Sequence, residues 1–539
     1  MPELAFIVAA VAVISIIEIL AERTRLPAAA LLTIAGLCYA FLPGPNVALN
    51  PEFILTFILP PLLYSAALNS SLLAIRGNLR PVISLSVVLV LVTALVVGIG
   101  TDLLIPGVTL AAGTALGAAV APPDPVAALA IGRRAGLPPR LITLIEGEGL
   151  LNDATALTLF TVAVAAATSG DFSPGGAVLR FVLSAAGGIA VGALCAGAVR
   201  VLRRLAHGPI VANALSLVTP FAAYLLGQEA RVSGVLAVVI TGLIVGHDTP
   251  RRASGASRLQ TAAVWRLADF LLEGFVFLLI GQQLPAVIRA LGKYPAGTIA
   301  AAGCLTVGLV IVLRPAWFIL TQSLPRVLRL RLGAGDRGGE RRLSLPEVAV
   351  LSWAGTRGVI SLAAIFSLPL VTDAGAPFPG RDLLIFCTYL VVLVTLLGQG
   401  LTFAGLTRAF GLRADLADQA RARNEARSAA VTAALSRLDE LAQEDNEVSD
   451  ETIAELRAGL AARAARYRQR LDQLEDNDGE AGLPPGYLAA LDARRAVIDA
   501  QREELLRWRD AGRLPDAGLR VLQHELDLEE NSLRRPEAR

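Results

Sequence analysis

Ala121-Pro122-Pro123-Asp124-Pro125 interrupts the fifth of the long apolar runs in this chain, and Gly355-Thr356-Arg357-Gly358 interrupts the twelfth. Proline removes backbone donors and clashes with the preceding turn, so the first segment cannot keep a continuous helical hydrogen-bond ladder. Glycines on both sides of an arginine allow the second segment to unwind. Both segments therefore predict helices that are broken near their middle.

The composition around these segments is that of a membrane protein. Hydrophobic residues make up 54% of the chain and charged residues only 17%, and the charges are rare before residue 410 or so. The apolar runs are long enough to cross roughly 30 Å of hydrocarbon, and a soluble core cannot absorb so many of them. They lie at approximately 3–21, 27–43, 52–73, 81–101, 107–132, 141–168, 181–199, 210–227, 232–247, 267–288, 296–320, 346–371 and 383–410.

Basic residues in the connections indicate the orientation. Lys and Arg accumulate in cytoplasmic loops. Every second connection is rich in arginine, beginning with Arg23 and Arg25, whereas the intervening ones hold few basic residues. This places the N-terminus outside and the C-terminus in the cytoplasm of a bacterial inner membrane. The start, Met1-Pro2-Glu3, lacks the basic region of a cleaved signal peptide, so we expect the first run to be a retained helix.

Pairing spans 1–6 with 8–13 makes the two broken helices counterparts that run in opposite directions. Inverted repeats with broken helices crossing at the midplane are a transporter architecture. The predicted fold is therefore an all-α polytopic membrane protein of about 13 transmembrane helices in two inverted repeats.

The last part of the chain has a different character. After residue 413 the sequence becomes charged and rich in Ala and Leu, and stretches such as Glu425–Glu444 have helical spacing. We predict a transmembrane exchanger domain over 1–413 and a cytosolic helical domain over 414–539 that regulates or dimerises. A solvated helical tail without such a role is the alternative.

Charges at membrane depth are costly, about 2.5–3.5 kcal/mol each at a helix centre, so those that persist usually pair or serve function. From the helical rise we expect Asp153 to lie roughly 18 Å and Arg357 roughly 16 Å from the cytoplasmic face. Asp124 lies past the middle of its own span, so three charges on three helices reach a similar depth. The deep charges are Asp124, Glu146, Glu148, Asp153, Glu273, Arg314 and Arg357.

The sixth span carries two of these acids within Gly147–Asp153. On a helical wheel Glu148 and Asn152 share one face, and Gly149 and Asp153 share another. We expect Gly149 to leave space beside the Asp153 carboxylate and Asn152 to offer its amide to the backbone of a broken helix. Glu148 and Arg357 are expected to form a buried ion pair, which leaves Asp153 free to change its ligand.

These motifs resemble the monovalent cation:proton antiporter-1 family, the sodium/proton exchangers. The resemblance rests on Gly147–Asp153 with Ala154, on Asp124-Pro125 and on Gly355–Gly358, and it extends to Leu59–Leu63 in the third span and Glu273–Gly281 in the tenth. It covers the whole membrane region in order, and the charged tail is similar to that of the bacterial branch.

The resemblance implies a homodimeric transporter of sodium and protons within the membrane lipids. Asp153 would carry the cation or the proton, with Asp124 beside it, so these two residues would bind the monovalent metal ion. Asn152, in place of a second acid, implies electroneutral exchange. Glu148 and Arg357 would form the structural ion pair, and Glu273 with Arg314 is expected to form a second one.

Three departures from the family pattern concern the ligand shell. Pro123 stands where many members have a hydroxyl residue, Gly149 where many have Ser, and Tyr64-Ser65 where many prokaryotic members carry an acid. Cation selectivity is therefore left open, and a potassium/proton antiporter of the same fold is the nearest alternative.

Other classes find less support. Asp124 and Asp153 could also line a cation channel. We see no nucleophile–base pair, nucleotide loop or metal-spaced His cluster that would indicate an enzyme, and no cofactor or nucleic acid is implied. The four cysteines lie singly in apolar runs, as small buried hydrophobes do.

Overall fold

The computed structural model describes residues 2–24, 26–42, 50–134, 136–170, 174–205, 208–323, 343–412, 416–443, 449–476, 485–511 and 513–532. The chain divides into two compact units, Met1–Leu412 and Arg413–Arg539. No β-strand occurs among the described residues, where Val371 and Pro377 form only an isolated bridge. The all-helical prediction is thereby confirmed.

The first unit is built from the following helices, numbered in chain order. They are α1 Pro2–Thr24, α2 Ala28–Tyr39, α3 Pro51–Asn69, α4 Leu72–Gly77, α5 Leu79–Leu104, α6 Leu110–Val120, α7 Pro125–Arg134, α8 Pro139–Ser169, α9 Pro174–Leu205, α10 Pro209–Glu229, α11 Gly234–Arg252, α12 Gly255–Gln282, α13 Leu284–Ala290, α14 Ala296–Ser323, α15 Leu345–Trp353, α16 Val359–Phe366 and α17 Arg381–Ala409.

Every predicted apolar run overlaps one of these helices or, at the two breaks and in the third and tenth runs, a pair of them. Seven of the described helices are individually long and apolar enough to cross a membrane, which identifies a multi-pass membrane protein. The tenth run was placed too late, because α12 begins at Gly255 and ends at Gln282. Its first half carries Arg258 and Arg266, and because of these charges the start of the helix is not part of an apolar run.

Both breaks lie where the sequence predicts them, and they touch. α6 ends at Val120 and α7 begins at Pro125, whereas α15 ends at Trp353 and α16 begins at Val359. The backbone N–H of Asp124 donates to the carbonyl oxygen of Thr356 at 2.6 Å. The Thr356 hydroxyl donates to the carbonyl oxygen of Asp124 at 2.9 Å. The two unwound segments thus satisfy one another, as buried backbone must.

The two unwound segments, Ala121–Asp124 and Ala354–Gly358, meet at a point that we call the crossing. Small residues set the spacing of the helices. A Cβ added to Gly117 of α6 would lie 2.5 Å from the Ala94 carbonyl oxygen of α5, and one added to Gly36 of α2 would lie 2.0 Å from the Leu278 carbonyl oxygen of α12. Close backbone approach through small residues is typical of membrane helix packing, where no hydrophobic force drives helices together.

The second unit consists of α18 Leu416–Gln443, α19 Asp450–Asp476, α20 Pro485–Asp510 and α21 Asp516–Ser532. Helices were expected over most of this region, and the predicted break between Asp476 and Gly486 lies largely in residues 477–484, outside the described residues. Arg502 of α20 pairs with Asp527 and Glu530 of α21, each at 2.6 Å.

Candidate functional site

Asp124 is held at the crossing by the backbone on both sides. One carboxylate oxygen, Oδ1, accepts the backbone N–H of Val126 at 3.0 Å. The other, Oδ2, lies over Gly358, where an added Cβ would be only 1.8 Å away. Gly358 is therefore required by the close approach of this carboxylate, and the two breaks together fix where Asp124 points.

Asn152 connects α8 to the first break, as the sequence predicted. Its amide Nδ2 donates to the carbonyl oxygen of Pro123 at 2.9 Å, and the residue has no exposed surface. Its Oδ1 is buried and has no hydrogen-bond partner in the described part of the chain. A buried oxygen left without a donor is a natural ligand for a hard cation.

Asp153 follows on the neighbouring face of α8. The residue is 4% exposed, and its carboxylate accepts no hydrogen bond from any described residue. The Asp124 carboxylate is close enough to repel its charge. Asp153, Asp124 and the Oδ1 of Asn152 thus supply oxygen atoms of the type that hard cations prefer.

Gly149 has a different role from the expected one. A Cβ at this position would lie 2.4 Å from Cγ of Pro125, the first residue of α7. The space beside Gly149 is thus filled by the proline ring and does not serve the Asp153 carboxylate. The missing side chain lets the Pro125 ring of α7 pack directly against α8.

The buried ion pair of Glu148 is formed with Arg314 and not with Arg357, so both predicted pairings were wrong. Arg314 of α14 contacts both carboxylate oxygens of Glu148, with Nη2 donating to Oε2 at 2.8 Å. Arg314 also donates from Nε to the Leu351 carbonyl oxygen at 2.9 Å. Glu148 is 1% and Arg314 3% exposed, so the bidentate pair satisfies two fully desolvated charges.

Arg357 binds backbone instead. Its Nε donates to the carbonyl oxygen of Val120 at 2.8 Å, and its Nη1 donates to the carbonyl oxygen of Gly355. Its own N–H donates to the hydroxyl of Thr395, which lies in a π-helical turn of α17, at 2.9 Å. Because Val120 is the last residue of α6, the guanidinium lies at the negative end of that half-helix dipole.

Glu273 has no cationic partner among the described residues, and the Arg314 expected to pair with it binds Glu148. Its electrostatic neighbours are carboxylates, those of Asp124, Asp269 and Glu18. Asp269 lies one turn before Glu273 on the same face of α12. Asp269 and Glu273 therefore place two carboxylates of α12 in the neighbourhood of Asp124.

Asp269 supplies a carboxylate beside the third span, which itself carries no acid at that position. The Ser65 hydroxyl of α3 donates to Oδ2 of Asp269 at 2.5 Å, and Oδ1 is buried with no partner in the described structure. A carboxylate from α12 thus lies where α3 itself carries only a hydroxyl. Asp269 is not among the deep charges expected from the sequence, although its spacing of four residues from Glu273 was an available signal.

Glu146 is less deep than expected. It forms an ion pair with Arg133 of α7, whose side chain is 53% exposed, so this charge lies near the helix ends. Thr356 and Thr395 were missed as contacts of the crossing, because hydroxyl residues are frequent in membrane helices and carry no distinctive spacing.

Comparison with known proteins gives a consistent family. Residues 8–409 match the family model described as "Sodium/hydrogen exchanger, transmembrane". The chain is 35% identical to the uncharacterized Na(+)/H(+) exchanger Rv2287 of Mycobacterium tuberculosis, over 99% of this chain and 96% of that protein. It is 34% identical to the Na(+)/H(+) antiporter ApNhaP of Aphanothece halophytica, over 73% of this chain and 72% of that one.

Two further similarities are to a second antiporter and to a solved structure. The sodium, potassium, lithium and rubidium/H(+) antiporter of Bacillus subtilis is 31% identical over 67% of this chain and 54% of its own length. Among solved structures, the sodium proton antiporter MjNhaP1 of Methanocaldococcus jannaschii matches with a TM-score of 0.58 at 19% identity, over 76% of this chain and 98% of that one. The membrane fold is therefore shared with a solved antiporter.

Proposed function

The chain belongs to the sodium/hydrogen exchanger family, and from that membership and the buried site we propose exchange of a monovalent cation for protons across the bacterial plasma membrane. Sodium is the first candidate. The observation that carries the proposal is the group of unpartnered oxygen atoms at the crossing, on Asp153 and Asn152, beside the Asp124 carboxylate. Such exchange would support pH and sodium homeostasis.

The coupling follows from the cost of a buried charge. A desolvated carboxylate has to be neutralised, either by a proton or by a cation with oxygen ligands. Asp153 accepts one or the other, and a site that holds neither is too costly to move through the membrane. Empty transitions are then rare, and exchange is obligatory. We expect the neutralised site to change face as one helical bundle moves against a dimerisation scaffold.

The charges of the crossing support electroneutral exchange. Counted without the acids of α12, the crossing contains three carboxylates (Glu148, Asp124 and Asp153) and two guanidinium groups (Arg314 and Arg357), which leaves one negative charge when all five groups are ionised. One proton or one monovalent cation cancels it. The neutral Asn152 adds no further charge, so each half-cycle carries one positive charge. Rates that do not change with an imposed membrane potential are the expected result, and a strong dependence on potential would contradict this stoichiometry.

The decisive variant is Asp153→Asn. In everted vesicles energised to acidify their lumen, we expect addition of sodium to produce no dequenching of a pH-sensitive dye, because the amide neither binds a proton nor neutralises a cation. Asp102→Asn, which removes an exposed carboxylate at the end of α5, is the matched control and should keep its activity. Retained exchange in Asp153→Asn, at equal amounts of inserted protein, would show that another group carries the ion.

Potassium/proton antiport is the second candidate, and the broad cation range in the name of the Bacillus subtilis relative favours testing it. Initial rates with sodium, lithium and potassium separate the two. A channel is distinguished by a different measurement, because only an exchanger moves the cation against its own gradient when a proton gradient is the sole driving force.

The surrounding organisation is also proposed. The basic connections support an external N-terminus and a cytoplasmic C-terminus, and we propose that the protein acts as a homodimer within the lipid bilayer. We further propose that the unit after Leu412 regulates transport or dimerises. A chain ending at Leu412 should then have a shifted pH profile or a changed dimer state, and an unchanged profile and dimer would contradict that role.

A further inference from the structure

A cavity of about 460 Å³ lies among the ends of α9, α10, α11 and α12, and no residue of the crossing lines it. Its walls carry four arginines and one acid. The arginines are Arg200, Arg203 and Arg204 of α9 and Arg252 of α11, and the acid is Asp248 of α11. The charged lining therefore has a net charge of three positive units (four minus one) when all five groups are ionised.

The single acid neutralises only part of this charge. Asp248 forms an ion pair with Arg200, and its Oδ2 lies 3.7 Å from Nε of Arg252. Arg203 and Arg204 have no carboxylate within ion-pair distance in the described parts of the chain. The Nε atoms of Arg200 and Arg203 are buried without an acceptor. Buried guanidinium N–H groups without acceptors are suited to an anion that offers several oxygen atoms.

Two helix N-termini open into the same cavity. α10 begins at Pro209 and α12 begins after its N-cap Ser254, and residues from both first turns line the wall. The free N–H groups and the dipole of a helix N-terminus favour phosphate and similar anions. The cavity, with its arginines and helix termini, is therefore suited to bind a phosphate-containing anion.

The surroundings of the cavity indicate that this anion is part of an amphiphilic molecule. Ala196, Val199 and Val245 form an apolar wall inside the cavity. On the outer faces of α9 and α10, Leu205 is 68% and Ile210 80% exposed, as is typical of side chains that contact lipid. The arginine-rich connections assign this end of the helices to the cytoplasmic face. We propose that the cavity binds the phosphate headgroup of an anionic phospholipid, whose acyl chains lie over these apolar faces.

The test uses the full chain, purified in detergent, with phosphatidylglycerol as the probe and phosphatidylcholine as the zwitterionic comparison. Native mass spectrometry measures how much lipid stays bound. The wild type should retain phosphatidylglycerol preferentially. The double variant Arg203→Gln with Arg204→Gln should bind it about 30-fold more weakly, given the usual contribution of two basic side chains at a membrane surface. Equal retention by this variant and the wild type would overturn the proposal.

Matched variants separate the cavity from general charge and from misfolding. Arg76→Gln with Arg80→Gln removes two exposed arginines on the same face outside the cavity and should bind like the wild type. Ala212→Leu fills part of the cavity without changing charge and should also lose the preference for phosphatidylglycerol. Loss in the Arg76 and Arg80 control to the same extent would show unspecific charge attraction and refute a cavity site.

A competition experiment shows whether the bound phosphate belongs to a lipid or to a soluble anion. Inorganic phosphate, added before the lipid, should displace little phosphatidylglycerol from the wild type, since it lacks the acyl chains that contact the outer faces. If phosphate alone stabilises the wild type against heat as strongly as phosphatidylglycerol, and Ala212→Leu abolishes this effect, the ligand is a soluble anion and the lipid proposal is wrong.

Discussion

Replacing Glu148, Arg314 and Arg357 singly and in pairs tests the assignment on which the architecture of the crossing depends. Removing one member of a buried ion pair leaves the other charge desolvated and unpaired, at a cost of about 3–5 kcal/mol. Glu148→Gln and Arg314→Gln should each destabilise the protein by this amount, because the two side chains are 1% and 3% exposed and bond through both carboxylate oxygens.

The paired replacements distinguish the two arginines. Glu148→Gln combined with Arg314→Gln removes both charges at once, so most of the loss should be recovered, with a coupling energy of about 3 kcal/mol or more. Arg357→Gln should destabilise through the lost bonds to the Val120 and Gly355 carbonyls, at about 1.5–3 kcal/mol for each charged hydrogen bond. Combined with Glu148→Gln, its effect should be nearly additive.

Thermal unfolding in detergent, followed by tryptophan fluorescence, is a suitable assay. In a unit of this size a loss of 3–5 kcal/mol corresponds to roughly 4–8 °C in the midpoint, by extrapolation from smaller domains. The Glu148 and Arg314 double variant should unfold within about 2 °C of the wild type. Recovery with Arg357→Gln in place of Arg314→Gln would refute the pairing described above and restore the one that the sequence suggested.

Two further changes probe the site itself. Gly358→Ala places a Cβ about 1.8 Å from Oδ2 of Asp124. The carboxylate then has to move by more than 1 Å, so the exchange rate should fall about 100-fold. Gly308→Ala, with open space around it, is the control, and equal rates for the two variants would disprove a fixed Asp124. Ser65→Ala removes the hydroxyl that holds Asp269 and should raise the cation concentration for half-maximal rate several-fold while leaving the maximal rate nearly unchanged; an unchanged concentration dependence would exclude this carboxylate from the route of the ion.

The sequence determined the elements of this protein because the signals for them are local. Apolar length defines a membrane helix, and proline or paired glycine defines where it breaks, so the runs, the two broken spans and the charged tail were all predicted. The donation from Asn152 to the first break was also predictable, since one helix turn and one proline-rich segment were enough to suggest it.

Tertiary structure alone decided which charges meet. Depth along a helix can be counted from the sequence, but the rotation of each helix about its axis depends on packing against its neighbours. Arg314 and Arg357 both reach the level of Glu148 and flank Gly355, and only their rotation assigns one to the carboxylate and the other to the carbonyl of Val120. Packing also decided that the ring of Pro125 fills the space beside Gly149. It likewise decided that Asp269 of α12 accepts a hydrogen bond from Ser65 of α3.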